Sequence, residues 1–271
     1  MDVLKELPPM IERHELKYAI PYTYVEPITN FIAPYCSLDH YSAVEDDHYY
    51  HVSSLYFDTD NLEFLQQRLY GKDGRFNVRA RCYGKEGVAP YFLEIKRKQG
   101  VTGVKFRATA SQDEWPHIIC DPSFRVSENE SLKERVAKER FIRVATSYDI
   151  KPQILTQYKR RAFFSTVDDY ARVTMDISMK YRSQSDFNMQ TNDAMVSYDN
   201  ETIYANNCLS DATVILELKC NVGQVPTWML DLISFFELKQ QGFSKYVASS
   251  LVSRVDNGIE YMSGDRVASG F

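Results

Sequence analysis

Glycine loops that cradle phosphate are missing from this sequence. It holds neither G-x-x-x-x-G-K-[ST] nor G-x-G-x-x-G, which excludes a P-loop and a Rossmann-type dinucleotide site. There is no G-x-S-x-G, no C-x-x-C and no Ser/His/Asp or Cys/His set of the kind nucleophilic hydrolysis needs. His48 and His51 have H-x-x-H spacing, but on a strand they fall on opposite faces, so the run reads as packing and not as a metal site. The five cysteines, Cys36, Cys82, Cys120, Cys208 and Cys220, are scattered, odd in number and lack metal-ligand spacing. They read as buried free thiols in a reducing compartment. No apolar run approaches the roughly 20 residues of a membrane span, and the start MDVLKELPPM has no apolar signal core. A soluble, cytoplasmic protein is expected. Without a repeat, a low-complexity tract or a Gly/Ser linker, residues 1–271 read as a single domain.

Ordinary globular material fills the chain: 44% hydrophobic and 25% charged residues, enough for a sizeable core. Nineteen tyrosines and 15 phenylalanines lean toward β-structure. The net charge of −5 means that any site for a polyanion must be local and sheltered from an acidic exterior.

Strand-like runs dominate: Arg13–Ile20, Tyr49–Phe57, Phe76–Tyr83, Tyr91–Lys98, Val104–Ala110, Gln153–Phe164, Ala171–Tyr181 and Thr213–Cys220. Turn clusters such as Gly71-Lys72-Asp73-Gly74 separate some of them. Helices are predicted over Pro21–Ile32, after the caps at Asp58-Thr59-Asp60 through Arg68, and over an exposed Ser131–Thr146. Two more are predicted from Pro226 to Leu238 and from Ser244 to about Val255. Ser183–Asn207 reads as a long polar loop with one weak strand near Ala194–Tyr198. The class is α+β.

The strands share an anomaly. In RFNVRARCYG, Arg75, Asn77, Arg79 and Arg81 take one face and Phe76, Val78, Ala80 and Cys82 the other. RHELKYAI opposes Arg13, Glu15 and Lys17 to His14, Leu16 and Tyr18. YFLEIKRK opposes Phe92, Glu94, Lys96 and Lys98 to Tyr91, Leu93, Ile95 and Arg97. Tyr158 and Arg160 share a face, as do Arg172, Thr174 and Asp176, and as do Glu217 and Lys219. For any one strand, solvated charges over a core explain the alternation. Taken together, cations two apart repel unless something neutralises them, and nearly every cluster includes an acid. The alternative is a barrel whose apolar face packs under helices while the charged face lines a bore that concentrates positive potential. Arg and Lys converging from several directions suit dense negative charge. Aromatic interleaving is modest, so phosphate chains fit better than nucleic acid.

The ordered set ELKY, SLYFDT, VRARCYG, FLEIKRK, QYKRR, RVTMD, ILELK and FSKY resembles the VTC domain, the polyphosphate polymerase domain of the triphosphate tunnel superfamily. The resemblance covers about Glu12 to Ser253. It implies an antiparallel eight-stranded β-barrel flanked by helices, with a basic interior. It also implies transfer of the γ-phosphate of ATP to a polyphosphate chain, with Mn²⁺ or Mg²⁺ as cofactor. By motif it assigns Arg79, Arg81, Lys96, Arg160 and Arg172 to catalysis. Lys17, Arg68, Lys105, Tyr158, Ser244 and Lys245 go to phosphate binding, and Glu217 to the metal. Relatives often open with ExExK; here Arg13 stands in the place of the first acid, which agrees with the polymerase branch and not the hydrolytic ones. Membrane segments and accessory domains carried by eukaryotic relatives have no counterpart in these residues, and a membrane partner is left open.

Each assignment has a plainer rival. Glu217 reads equally as a salt-bridge partner of Lys219 or of a tunnel arginine. Arg68 reads equally as a surface charge, Ser244 as a helix cap. Glu15 and Glu94 read as acids that orient cations. Three functions stay open: polymerase, triphosphate or polyphosphate hydrolase, and a non-catalytic sensor of polyphosphate or inositol phosphates.

Overall fold

A computed structural model describes residues 13–99, 102–197 and 213–256. The expectations made on the first ten residues, on Cys208 and on the loop beyond Ser197 lie outside them. Period-two alternation becomes strand where expected: β1 (Arg13–Ile20), β3 (Tyr50–Asp58), β4 (Arg75–Tyr83), β5 (Tyr91–Gln99), β6 (Thr102–Ala110), β7 (Lys151–Ser165), β8 (Ala171–Ser183) and β10 (Val214–Asn221). Two short strands join them, β2 (Cys36–Leu38) and β9 (Val196–Ser197). The helices are α1 (Val25–Ile32), α2 (His40–Ala43), α3 (Glu63–Leu69), α4 (His117–Cys120), α5 (Leu132–Tyr148), α6 (Thr227–Phe235) and α7 (Lys245–Asp256). This is the expected α+β class, with an eight-strand path β1-β10-β8-β7-β3-β4-β5-β6.

The chain divides into two compact units, the first from Ser53–Leu155 and Ser183–Asn192, the second from the remaining described residues. In the first, β4–β5 and β5–β6 pair antiparallel, placing Val78, Ile95 and Phe106 in one cross-strand row and Arg79, Glu94 and Arg107 in the next. The apolar rows face helices. Phe141 and Ala145 of α5 are buried, and Tyr148 packs its ring 5.1 Å from Phe64 and 5.5 Å from Phe76. In the second unit, β1–β10 and β10–β8 set Tyr18, Leu216 and Met175 in one row and Lys17, Glu217 and Thr174 in the next. Tyr18, Val173, Met175, Leu216 and Leu218 share a core with Ile28 and Ile32 of α1 and with Trp228, Met229 and Leu232 of α6. Burying such a side chain contributes roughly 1.5–3 kcal/mol. A one-residue slip would turn the whole set outward, so the packing fixes which face carries the charges.

Two details depart from the sequence reading. α5 is not merely an exposed helix: Lys138 is 3% exposed and bonds Glu114 at 2.5 Å and Glu130 at 2.6 Å. Burial opposes its charge, but those bonds outweigh it and raise the pKa. Of the described cysteines, Cys36, Cys82 and Cys220 are buried as free thiols, whereas Cys120 is exposed. Burial pushes Cys36 and Cys82 up to about 12, which removes them as nucleophiles.

α3 starts from Leu62 in the left-handed region, φ 55°, a conformation an L residue adopts at a cost. The fully buried Asp58 offsets it. Its carboxylate accepts the backbone N–H groups of Thr59 (2.8 Å), Phe64 (2.9 Å) and Leu65 (2.9 Å). Asp58→Ala would strand these donors and is expected to lower stability by about 2 kcal/mol in urea unfolding. An Ala variant as stable as the parent would mean that packing alone holds α3.

Candidate functional site

The charged rows form one cluster in each unit, and each is organised by buried acid. In the first unit Glu94, 2% exposed, stands at the centre. Arg79 reaches its Oε2 with Nη2 at 2.7 Å and Nε at 2.8 Å. Lys105 meets Oε1 at 2.7 Å and Arg107 lies 3.4 Å from it. Arg79 also donates to the Tyr56 hydroxyl at 3.1 Å, and Arg81 to the Ser54 hydroxyl at 3.4 Å. Burial would raise the Glu94 pKa, but Arg79, Arg81 and Lys105 hold it well below the usual carboxylate range. Four cations thus share one carboxylate, a net positive cradle. Register sets Lys96 beside it, opposite Lys105 and Asn77.

The second cluster is deeper and holds two acids. Asp176, 0% exposed, accepts Arg160 Nε at 2.6 Å and Nη2 at 2.8 Å, and Lys245 Nζ at 2.5 Å. Glu217 meets Lys219 at 2.8 Å and Lys17 at 3.1 Å, with Arg160 at 3.9 Å. Lys17 also donates to the Phe243 carbonyl at 2.9 Å. Beneath them lies Tyr158, whose ring centroid is 4.4 Å from Lys245 Nζ and 5.3 Å from Arg160 Cζ, a cation–π seat for both. Against the burial cost, the surrounding cations lower the pKa of Asp176 and take Glu217 well below the usual range. Lys219 moves the other way from a well-paired lysine: burial lowers it more than Glu217 restores, because it shares that carboxylate with competing cations. Single buried ions cost several kcal/mol each, and the acids offset part of that cost in both clusters.

The family comparison falls on the same strands. The VTC domain model matches residues 12–253. The chain belongs to the VTC domain family. Among curated proteins it is similar to vacuolar transporter chaperone complex subunit 4 of Schizosaccharomyces pombe, 24% identical over 222 residues, which are 72% of this chain and 31% of that protein. It is also similar to the subunit of the same name in Trypanosoma brucei brucei, 29% identical over 154 residues, 48% of this chain and 19% of that one. The matched part is about a third of the first relative's length and about a fifth of the second's. A solved Bacillus halodurans structure, described as a candidate adenylate cyclase, is similar at 12% identity and a TM-score of 0.47, covering 86% of this chain and 94% of that one.

Within this VTC domain the expected residues sort by unit. Arg79, Arg81 and Lys105 join around Glu94 in the first, while Arg68 stands exposed in the last turn of α3. Lys17, Tyr158, Arg160, Glu217 and Lys245 join in the second. Arg172 pairs with Asp39 at 3.0 Å. Ser244 acts as a cap, its hydroxyl accepting the Val247 N–H at 3.5 Å. Glu94 orients cations as expected, and two acids come in that residue-by-residue assignment passed over as site members: Asp176 and Asp39. Asp176 sits in RVTMD on the charged face of β8, a signal that was present. Asp39 caps the short α2, accepting the Ser42 N–H at 2.8 Å, and no periodicity points to it.

One member of the first cluster titrates near neutrality. Burial of the Lys105 ammonium comes first, and the Arg79 and Arg81 charges add to it against the pull of Glu94. The pKa falls to about 7, although the side chain as a whole is 47% exposed. Below that value Lys105 is charged; above it the charge is lost and with it part of the attraction for an anion. Tripolyphosphate affinity is therefore expected to fall, relative to a Lys105→Arg variant, by up to about tenfold for each pH unit above 7. Titration calorimetry of both proteins from pH 6 to 8.5 checks this, since the ligand's own ionisation cancels in the ratio. Parallel pH profiles would show that Lys105 stays charged throughout.

Proposed function

We propose that this VTC domain transfers the γ-phosphate of ATP to the end of a polyphosphate chain. The observation that carries the reading is the pair of acid-organised cation clusters, each on a strand face turned away from the helix-backed core, in a chain whose net charge is −5. The relatives' family supports it. A terminal phosphate, with a second pKa of about 6, is already ionised at neutral pH. Its oxygen attacks the γ-phosphorus, the bond from γ-phosphorus to the β,γ-bridging oxygen breaks, and ADP leaves. No general base is consumed, in keeping with clusters made of cations, their acids and few candidate bases. Alignment and neutralisation of spreading charge are what the protein must supply. Arg79, Arg81, Lys96, Arg160 and Arg172 take that role, with Lys17, Arg68, Lys105, Tyr158, Ser244 and Lys245 holding phosphates.

For Mn²⁺ or Mg²⁺ the donor set is sparse. Among the described residues no three His, Cys, Asp or Glu side chains cluster, and both Asp176 oxygens are taken by Arg160 and Lys245. A hard cation carried in by phosphate needs only one or two protein carboxylates, and Glu217, ionised among its lysines, could serve only by exchanging Lys17 from Oε1 or Lys219 from Oε2 for the ion. Bound there, the ion would neutralise charge on the phosphate oxygens.

The test uses purified protein with ATP, Mn²⁺ and a short polyphosphate primer, following chain length and free phosphate together. Lengthening supports transfer; phosphate release without lengthening would mean a hydrolase; retained binding with neither would mean a sensor. Arg79→Ala/Arg81→Ala is expected to lower kcat/KM by at least about 1,000-fold. Glu217→Gln is expected to raise the metal concentration needed for half-maximal rate. An active double variant would place the site elsewhere.

A further inference from the structure

Asp176 holds together two cations that arrive from different elements, Arg160 from β7 and Lys245 from the first residue of α7. The approach to α7 is itself tied to β1: the Gln241 N–H donates to the Lys17 carbonyl at 2.8 Å, and the Lys17 ammonium to the Phe243 carbonyl at 2.9 Å. The carboxylate grips Arg160 bidentately and takes Lys245 on the Oδ2 that also receives Arg160 Nη2. Stability alone is a poor reason for such a group, because buried ion networks are often no more stabilising than apolar replacements of the same volume. Nor does it help attract an anion, since it cancels positive charge. What it does supply is one shared anchor for two long side chains that otherwise have many rotamers.

We propose that Asp176 is the positioning residue of the second cluster, holding Arg160 and Lys245 at a fixed separation so that bound phosphates take one register. This rests on the phosphotransfer reading above. The cost of the arrangement is weaker ground-state attraction, and its gain is alignment in the transition state.

Binding and turnover should therefore separate. In Asp176→Asn, tripolyphosphate affinity by calorimetry is expected to stay within about threefold or to tighten, while kcat for chain extension falls about 100-fold. The ³¹P spectrum of bound tripolyphosphate should show resolved lines in the parent and exchange-averaged lines in the variant. Asp176→Glu, which restores the carboxylate, should recover the resolved lines in part. Unchanged kcat and unchanged spectra overturn the proposal. Parallel loss of affinity and turnover in a variant folded by circular dichroism also overturns it, since that marks a purely structural residue. If the parent binds tripolyphosphate but extends no chain, the transfer reading fails and the spectra still decide Asp176. If the parent does not bind it, both fall. Should the Asn variant not fold, Asp176→Glu carries the comparison through its longer reach: a reduced kcat at parental affinity is expected, and parental kcat with parental spectra refutes the role.

Discussion

Like charges crowded on a sheet face repel, and the rest of this structure depends on how that repulsion is contained. Two cations 4 Å apart near a protein surface cost about 4 kcal/mol at an effective dielectric of 20. A handful of such contacts would exceed the whole stability of a domain, typically about 5–15 kcal/mol. Glu94, Asp176 and Glu217 remove the difficulty from within, each ringed by the cations it separates. Each still leaves cationic character in excess. An anion meets groups already set in place, so little ordering remains to be done when it binds.

The orientation of the strands follows from the other face. Val78, Ile95 and Phe106 in one unit, and Tyr18, Leu216 and Met175 in the other, lie in single cross-strand rows. Helices bury those rows. Once they do, period two leaves the opposite face no choice but to collect Arg79, Arg107, Lys17 and Glu217. The charged faces are thus a by-product of ordinary core formation with an uncommon second set of residues.

Much of this was legible in the sequence. The eight long strands begin and end within about two residues of their predicted limits, a normal uncertainty for element ends, because alternation over eight or more residues is a strong signal. Parity placed Arg79, Arg81, Lys17 and Arg160 on charged strand faces, and motif order added Lys105 and Lys245; their division into two clusters, each around its own acids, was not read from the sequence. β2, α2 and α4 were not legible: three or four residues carry no period. Nor was the burial of Lys138, which depends on Glu114 and Glu130 meeting it from outside α5. Acids were read less well than bases. A cation on a strand announces a ligand, but an acid such as Asp176 or Asp39 gains meaning only when pairing shows which cation it touches, and pairing is long-range information.

Sharing these cations among buried acids also shortens the distance over which the protein is felt. At physiological salt, fields decay over about 8 Å, and beyond that a visiting polyanion meets a net charge of −5. Capture should then be slow for so cationic a pair of surfaces, without the long-range guidance that speeds many charged encounters. Residence, set by contacts inside a few ångströms, would be long. Such kinetics suit a ligand that is kept more than one that is exchanged at every collision.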